Sequence, residues 1–416
     1  MRLVKKMSNE IIQTGLEIGS SHVKCVISSI VADKIKIKGY ASRRCNGIEK
    51  GNIIDINDTV ETIREVVGQA EERAKVNINF LNLGVHGLHI TGKNNHAAVA
   101  ILSHDQEINT SDVKQVLNSA RAVLTNQEQQ IIHTVPQEYI VDHQKGVRDP
   151  RGMSANHLHV NVYNIIAVTS ILTNVKKCVE KAGFEIQNTI FSPLAAANTV
   201  LLDEEKKLGC LLIDIGGKLS EISYYERGAL KGVQMIVSGG DYITDDLAKC
   251  MKISRAEGSR IKKDYGFATQ AHIPTEGKIE ITKIDGRTKS EVSVKEIAKI
   301  ISERLKDILK GSEGISECIK NMQIEPELIT SCIITGGGAK LPGIDEYIQS
   351  QFNFQTRLGY VQKQDAIGDE EVMDDLSYTS AIGLTKYDVT DEMPSIAGGK
   401  RRKRRSGLIE WIKRIF

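Results

Sequence analysis

The chain is 416 residues long, which at roughly 150 residues per domain predicts two or three folding units. Hydrophobic residues make up 40% of it and charged residues 26%, a balance that excludes a largely disordered chain. The formal net charge is +2, but residues 400–416 alone carry +7, so the rest of the chain sums to −5. The body is therefore not expected to bind nucleic acid by bulk charge, and only the C-terminal segment suits an anionic surface.

The cysteines and the hydropathy pattern bear on the cell compartment. Seven cysteines are scattered along the chain without a C-x-x-C spacing, which argues against a disulfide framework and for a reducing compartment. Neither an N-terminal signal peptide nor a run of about 20 apolar residues is found. We therefore expect a cytoplasmic protein whose attachment to a membrane is peripheral.

A weak internal repeat is the most informative feature of the chain. The pattern at residues 14–28 returns at residues 209–225, with an offset of 197 positions. Each copy is an apolar strand that ends in a carboxylate, a glycine turn and a second alternating strand, which together are typical of a β-hairpin. Two copies predict two related lobes, each beginning with the same hairpin.

Apolar spacing along the rest of the chain predicts the remaining elements. Helices are predicted over residues 59–75, 112–124, 174–182, 244–251, 254–263, 294–309, 344–351 and 378–386. Strands are predicted over residues 80–85, 97–102, 157–168, 278–284 and 331–335. Ser192 and Pro193 are expected to begin one more helix, with Ser192 as its N-cap and with small side chains that suit a helix crossing between two lobes.

Three glycine turns are the strongest candidates for a binding site. They are Gly19-Ser20-Ser21, Gly216-Gly217-Lys218 and Gly336-Gly337-Gly338. Glycines after a strand let backbone N–H groups approach phosphate oxygens, and hydroxyl side chains add further donors. Glu17 and Asp214 end two of these strands, where together they can hold Mg²⁺, usually through water. The three turns together predict a site for the phosphates of a nucleotide.

The order of these features resembles the actin-like ATPase superfamily and, within it, the FtsA family of bacterial cell-division proteins. The resemblance covers residues 10–390, where residues 15–21 are similar to the first phosphate motif, 214–220 to the second and 334–339 to the adenosine motif. It implies an α/β, actin-like fold of two lobes built from duplicated ribonuclease-H-like domains. It also implies an FtsA-type inserted subdomain and a C-terminal amphipathic helix.

The same resemblance implies ATP and Mg²⁺ as ligands and adds Glu257 and Arg260 to the nucleotide-binding residues. Glu17 stands where the family usually has Asp, and Lys218 and Leu219 stand where it usually has Gly and Thr. The Lys218 ammonium would either bind a phosphate or block the close approach that glycine allows. Because spacing alone identifies no residue that positions an attacking water, we expect ATP binding with slow or absent turnover and assign no catalytic residue.

The resemblance also implies a division of the chain into segments. The first lobe is expected at 10–83 and 167–203, the inserted subdomain at 84–166, the core of the second lobe at 204–242 and 319–366, its outer subdomain at 243–318, a return to the first lobe at 367–387, a basic linker at 388–405 and a membrane-targeting helix at 406–416.

The C-terminal segment carries the second strong signal. Residues 400–405 are six consecutive cations, and residues 408–416 separate into two faces when placed on a helix. The apolar face spans an arc of roughly 160°. It consists of Leu408, Ile409, Trp411, Ile412, Ile415 and Phe416. This segregation predicts an interfacial helix that binds anionic membrane lipids, whereas a nuclear-import or nucleic-acid arm would leave the apolar face without a partner.

The resemblance implies partners as well. It implies that the protein tethers FtsZ filaments to the inner face of the cytoplasmic membrane at the division septum, helps to recruit later division proteins, and self-associates into oligomers or filaments. The FtsZ C-terminal peptide is expected on the outer subdomain of the second lobe, where Lys299 and Arg304 are the candidate contacts. Two alternatives remain open: a type IV pilus assembly protein that binds a membrane partner's peptide, and a small-molecule phosphotransferase on the same fold.

Overall fold

The computed structural model describes residues 11–31, 34–122, 128–273, 277–352 and 354–386. Its strands are β1 (Ile11–Ile18), β2 (His22–Val31), β3 (Lys34–Arg44), β4 (Ile48–Glu49), β5 (Asn52–Ile53), β6 (Phe80–Val85), β7 (Ile90–Ala100), β8 (Gln129–Val141), β9 (Gln144–Val147), β10 (His157–Val168), β11 (Glu185–Phe191), β12 (Cys210–Ile215), β13 (Ser220–Glu226), β14 (Ala229–Ile236), β15 (Lys278–Thr282), β16 (Lys289–Ser293), β17 (Ser331–Thr335), β18 (Gln355–Leu358) and β19 (Ala366–Ile367). Its α-helices are α1 (Ile56–Ala74), α2 (Thr110–Ala122), α3 (Thr169–Ala182), α4 (Ser192–Val200), α5 (Asp203–Leu208), α6 (Gly240–Met251), α7 (Arg255–Tyr265), α8 (Val294–Lys310), α9 (Ile315–Asn321), α10 (Ile344–Phe352), α11 (Glu370–Met373) and α12 (Thr379–Lys386).

Two large sheets share one topology over five strands each, with β19 added at the edge of the first. The first is ordered β11-β6-β1-β2-β3-β19 and the second β14-β13-β12-β17-β18. In each sheet three consecutive strands form an antiparallel meander, and the first of the three then pairs in parallel with a later strand, which is β6 in one lobe and β17 in the other. A further parallel strand follows, β11 or β18. This equivalence confirms the predicted duplication and the two-lobed, actin-like α/β fold.

The register of the strands reproduces the offset seen in the sequence. The equivalent pairs are Glu17–Lys24 and Asp214–Glu221 across the two hairpins, and Glu17–Gly84 and Asp214–Thr335 across the parallel strands. Side chains alternate along a strand with a period of two, so equal register puts equivalent side chains at equivalent places in the two lobes.

Side-chain caps and apolar faces account for the main helices. Asp55 accepts hydrogen bonds from the backbone N–H groups at the start of α1, and Ser254 and Ser293 do the same for α7 and α8. On α8 the predicted apolar stripe, which includes Ile297 and Ile301, is buried in the core of the second lobe. The predicted boundaries of α8 agree with the structure to within one residue.

The inserted region forms its own small sheet, ordered β7-β10-β8-β9, with α2 packed against it and a separate apolar core. Side chains of the inserted region form hydrogen bonds with β14 of the second lobe. The backbone N–H of Val233 donates to the Tyr163 hydroxyl at 3.0 Å, and Gln137 Nε2 donates to the carbonyl of Leu230 at 2.9 Å. Strand β6 continues to Val85, so the sheet of the first lobe includes the first two residues of the range 84–166.

Helices α4 and α12 cross in close contact, as their small side chains predict. A Cβ atom on Gly383 of α12 would overlap the carbonyl oxygen of Ala195 in α4, so the approach depends on glycine. The start of α12 contacts the second lobe through Thr379 Oγ1, which lies 2.9 Å from Thr335 Oγ1. Its middle lies on β1 of the first lobe, where the carbonyl of Ala381 approaches Gly15.

The predicted N-cap of α4 is wrong by one residue. Ser192 is the first helical residue, and the N-cap position is Phe191, whose side chain cannot accept a hydrogen bond. Phe191 is fully buried, and its backbone N–H donates to His133 Nε2 at 2.9 Å. Strand β11 therefore runs directly into the helix, and Pro193 occupies the first turn as predicted.

Two features at the C-terminus lie outside the described residues. They are the linker predicted at 388–405 and the helix predicted at 406–416, with its apolar residues Leu408, Ile409, Trp411, Ile412, Ile415 and Phe416. Within the part of the chain that the structure describes, no helix is both long enough and apolar enough to cross a membrane.

Candidate functional site

The first two glycine turns meet between the lobes. Gly19 closes the β1–β2 turn by donating its N–H to the carbonyl of His22 at 2.9 Å. The second turn, after β12, contacts the first because the Lys218 N–H donates to Ser20 Oγ at 3.2 Å. Gly217 lies against the side chain of Ser21.

The second turn is also tied to the start of α6. The carbonyls of Gly216 and Gly217 accept hydrogen bonds from the N–H groups of Gly240 and Asp241, at 2.9 and 2.8 Å. The N-terminus of α6 therefore lies directly behind this turn, where its partial positive charge favours an anion in the crevice.

The third turn packs against the carboxylate that ends β12. Gly336 has a φ of +89°, and a Cβ atom there would overlap Asp214 Oδ1, so both the backbone angle and the close approach require glycine. Gly337 then begins a short 3-10 helix, and Gly338 lies close to Gly240 at the start of α6. All three predicted turns are thus brought together where the two lobes meet, and we call this junction the crevice.

Three carboxylates lie together beside these turns, of which those of Glu17 and Glu221 are buried and that of Asp214 is half-buried. Glu17, at the end of β1, is 5% exposed and its Oε2 lies 3.1 Å from Lys24 Nζ, directly across the hairpin. Burial, followed by the charges of Glu221 and Glu17, raises the pKa of Asp214 from 3.8 to about 7. Burial alone lowers the pKa of Lys24, but the charges of Glu17 and Asp214 outweigh it and raise that pKa above its ordinary value.

A histidine that the sequence analysis did not select joins this cluster. His86 follows the last residue of β6, and its Nδ1 lies 2.7 Å from Glu221 Oε1 on β13 of the other lobe. Burial lowers the pKa of His86, but the charge and the hydrogen bond of Glu221 outweigh it and raise the pKa from 6.5 to about 9. The other ring nitrogen, Nε2, is buried without a hydrogen-bond partner among the described residues.

Further ion pairs join the two lobes at the rim of the crevice. Arg44, at the end of β3, pairs with Asp241 of α6 at 3.2 Å, and Arg255 pairs with the same carboxylate at 2.9 Å. The ammonium of Lys218 pairs with Glu49 of the first lobe. The Lys218 side chain therefore links the lobes, a role that its position in the second turn did not suggest.

On α7, the predicted nucleotide-binding residues Glu257 and Arg260 form a local ion pair. They pair with each other at 2.7 Å on an exposed face, and the Arg260 guanidinium also approaches Asp264 and the Tyr265 ring. Lys262 of α7 contacts the start of α6, where its Nζ donates to the carbonyl of Gly240 at 2.7 Å. Two residues along a helix turn by about 200°, so Arg260 and Lys262 point to opposite sides.

The predicted peptide contacts lie on α8. Lys299 is exposed there. Arg304 is half-buried and forms two hydrogen bonds with Asp246 of α6, at 2.6 and 3.0 Å, with Asp307 a further 3.5 Å away. The bidentate pair orients the guanidinium and ties α8 to α6, so Arg304 already has a structural role within the second lobe.

The crevice suits a magnesium–nucleotide complex better than a dedicated metal site. No group of three or more His, Cys, Asp and Glu side chains among the described residues is arranged to hold a metal ion. Mg²⁺ in nucleotide sites usually takes one or two carboxylates and completes its shell with phosphate oxygens and water. Because Glu17 is paired with Lys24, Asp214 is the carboxylate best suited to such an ion, and the turns, Lys24 and Lys262 supply donors for an anionic ligand.

Solved structures with this fold include nucleotide-bound members. The protein in a PilM–PilN type IV pilus biogenesis complex superposes with a TM-score of 0.64 at 16% identity, covering 92% of this chain and 99% of that one. MreB5 of Spiroplasma citri bound to ADP superposes with a TM-score of 0.54 at 14% identity, covering 93% and 99%. Likeness at this level of identity shows the actin-like fold alone.

Sequence comparison is more specific. The family profile described as Cell division protein FtsA matches residues 211–383, and that of the SHS2 domain inserted in FTSA matches residues 87–166. Proteins named Cell division protein FtsA are 32% identical in Bacillus subtilis, over 92% of this chain and 84% of the relative, and 32% identical in Neisseria meningitidis, over 96% and 98%. The Escherichia coli K12 protein of that name is 28% identical over 99% and 98%. The chain therefore belongs to the FtsA family of cell division proteins.

Proposed function

We propose that this protein is an ATP-binding, actin-like adaptor of cell division that tethers FtsZ filaments to the inner face of the cytoplasmic membrane and helps to recruit later division proteins. The observation that carries the nucleotide part is the convergence of three glycine turns, Asp214 and Lys262 around one crevice between the lobes. MreB5, which shares the fold, was solved with ADP and with AMPPNP, and this supports a nucleotide in the equivalent place.

ATP would be held by the Lys24 ammonium and by backbone N–H groups of the first two turns other than those of Gly19, Gly216 and Lys218, which donate within the protein, with its adenosine against the third turn. Lys262 replaces Glu257 and Arg260 as the proposed contact from α7, because it alone of the three is drawn to the crevice by a described contact. Mg²⁺ would be held mainly by Asp214, through water, and it would neutralise phosphate charge. We assign no catalytic residue and expect slow or absent turnover.

The tether would be the C-terminal segment. Its six consecutive cations attract anionic lipids, each contributing about 1 kcal/mol near the surface, and the apolar face with Trp411 and Phe416 adds burial in the interface. Neither part alone gives durable attachment, but the two together do. The protein would then be peripheral on the cytoplasmic side of the membrane, at the division septum.

The FtsZ peptide would bind the outer subdomain of the second lobe along α8. Lys299 is exposed there, whereas the Arg304 guanidinium is engaged by Asp246 and would present only its remaining edge to an acidic peptide. Self-association into filaments through the lobes and the inserted subdomain is part of the same proposal, with ATP as the ordering ligand. No observation favours the pilus or phosphotransferase alternatives, because the likeness to the PilM–PilN structure is one of fold.

Co-pelleting of FtsZ with lipid vesicles tests the adaptor. Vesicles of phosphatidylglycerol and phosphatidylcholine are sedimented with FtsZ and the full chain, a chain lacking residues 400–416, Trp411→Glu, or the control Trp411→Phe. We expect FtsZ in the pellet with the full chain and with Trp411→Phe only, because a charge on the apolar face prevents its burial.

Two results would contradict the proposal separately. If the chain that lacks residues 400–416 sediments as well as the full chain, the proposed tether would be contradicted. If the full chain sediments with the vesicles but FtsZ stays in the supernatant, the result would support the tether and contradict the adaptor role.

A further inference from the structure

We infer that His86 is a phosphate-contacting residue of the crevice, which donates from Nε2 to the terminal phosphate of a nucleoside triphosphate while Glu221 of the opposite lobe holds its Nδ1. This inference rests on the proposed nucleotide site. It gives a specific role to a residue that links the lobes. That role is to distinguish a nucleoside triphosphate from a diphosphate.

The strand register places His86 at the edge of the sheet where the first turn lies. Strands β1 and β6 are parallel with Glu17 opposite Gly84, so both chains leave the sheet at the same edge. Gly19 is two residues beyond Glu17, and His86 is two residues beyond Gly84. When two parallel strands end at the same edge of a sheet, the residues that follow them lie close together.

The duplication also indicates on which side of a bound nucleotide His86 would lie. In the second lobe Asp214 is opposite Thr335, and Gly337 of the third turn is two residues beyond Thr335. His86 is therefore the first lobe's counterpart of Gly337. The phosphate turns of the two lobes contact each other through Lys218 and Ser20, so a nucleotide whose adenosine lies against the third turn would extend its phosphates from the second lobe toward the first, to which His86 belongs.

The hydrogen bonds of His86 leave one donor unused. Its side chain is 9% exposed, Nδ1 is taken by Glu221 at 2.7 Å, and Nε2 has no partner among the described residues. A buried N–H without a partner is unfavourable, so a site that retains one is expected to meet an acceptor when it is filled.

The charges in the crevice select an anion as that acceptor. The pair with Glu221 keeps the imidazole of His86 protonated near neutral pH, with its pKa raised to about 9 by the Glu221 charge and hydrogen bond against the effect of burial. Lys24 is a second cation near this edge, and it is paired with Glu17. A terminal phosphate supplies the negative charge and the acceptor oxygens that a buried imidazolium requires.

The test compares the affinities of the full chain for AMPPNP and for ADP, each with Mg²⁺, by isothermal titration calorimetry. His86→Asn is the informative variant, since its amide nitrogen can replace Nδ1 at Glu221 but leaves no donor at the place of Nε2. We expect the dissociation constant for AMPPNP to rise about tenfold relative to that for ADP, the size of one charge-assisted hydrogen bond. His86→Gln, which returns a neutral donor near the place of Nε2, should recover part of this loss.

His272 provides a matched control, because its Nε2 lies 2.7 Å from Glu346 in another histidine–glutamate pair. His272→Asn should leave the ratio of the two affinities unchanged. A second readout is the NMR signal of the His86 ring, identified by its absence in His86→Asn, which should shift with AMPPNP and stay in place with ADP.

The outcomes distinguish a failure of this inference from a failure of the proposed nucleotide site. If the unmodified chain binds neither nucleotide, the proposed site fails and the inference with it. If it binds both but His86→Asn keeps the same affinity ratio, or loses both affinities equally, His86 does not contact the terminal phosphate and only the inference is overturned.

Discussion

The two carboxylates that end the hairpins differ in their surroundings although their positions are equivalent. Glu17 faces Lys24 across its hairpin, whereas Asp214 faces Glu221 across the second. A cation in one lobe and a carboxylate in the other explain why the pKa of Asp214 is raised, by burial and by its acidic neighbours, while Glu17 has a paired ammonium. Glu221 in turn finds its cation, His86, in the opposite lobe.

The His86–Glu221 pair should make stability depend on pH. The pKa of His86 is 6.5 in an unperturbed chain and about 9 in the folded protein, so the folded state holds the proton more tightly. Its contribution to stability is therefore full below pH 6.5 and is lost as the pH rises through 9. We expect the nucleotide-free protein to lose more free energy of unfolding between pH 6.5 and about pH 10 than His86→Asn does, measured by urea denaturation. Equal losses in the two proteins would show that the pair is not ionised as described.

At the scale of elements, helix α7 carries a surface ion pair on one face and the proposed nucleotide contact on the opposite face. Glu257 and Arg260 are three residues apart and share a face, which is the spacing of a surface ion pair. Lys262 projects from the opposite face toward Gly240. Burial lowers its pKa to about 8, with the charge of Asp241 acting against that effect.

The two basic residues of α7 should therefore respond differently to the same substitution. Lys262→Met should weaken the binding of labelled ATP about tenfold, since it removes a half-buried charged donor at the crevice. Arg260→Met should change the affinity by less than about twofold, because exposed ion pairs contribute little. Fluorescence titration of the full chain measures both affinities. A larger effect from Arg260→Met would indicate that Arg260, as predicted from the sequence, contacts the nucleotide instead of Lys262.

The crossing of α4 and α12 depends on a single glycine. Gly383→Ala should destabilise the protein by about 1–3 kcal/mol, because the new methyl group overlaps the backbone carbonyl of Ala195, which cannot move alone. Gly68→Ala in α1 is a matched control, since a Cβ atom there meets nothing within 4 Å. It should be neutral or stabilise by up to about 1 kcal/mol. Urea denaturation of both variants measures the difference, and equal stabilities would contradict the close crossing.

At the scale of the whole molecule, the crevice exists only where both lobes contribute. The first turn and Lys24 come from one lobe, and Asp214, the third turn and Lys262 come from the other. Ion pairs of Arg44 and of Lys218 join the two lobes around it. A ligand that contacts both lobes therefore stabilises each lobe and also the position of one lobe relative to the other.

Nucleotide binding should accordingly raise the unfolding temperature of the full chain. At a ligand concentration one hundred times the dissociation constant, the gain is about 2.7 kcal/mol. We expect Mg–ATP to produce this upward shift in the unmodified chain and a clearly smaller one in Asp214→Ala, which lacks the carboxylate proposed to hold Mg²⁺. Asp285→Ala, in the exposed β15–β16 turn, is the control and should respond like the unmodified chain. The same shift in Asp214→Ala, or none in the unmodified chain, would contradict the proposed site.

The sequence by itself determined the duplication, the three turns and most of the elements, because each is encoded locally. Strand β17 and helix α8 follow directly from the spacing of their apolar residues, and the offset of 197 positions already implied that Lys24 and Glu221 are equivalent. The position of the N-cap of α4 was not encoded in this way, since it depends on where β11 ends in the core.

Only the tertiary structure decided which side chains share the crevice. His86 and Glu221 are 135 positions apart, and no local periodicity relates them. The choice of Lys262 over Arg260 likewise depends on which face of α7 meets α6, and the link from Lys218 to Glu49 depends on how the lobes approach each other. Local patterns report hydrophobic faces and turns, whereas contacts between distant residues arise from packing of the whole chain, and for that reason a sequence reveals the binding turns more readily than the side chains that complete the site.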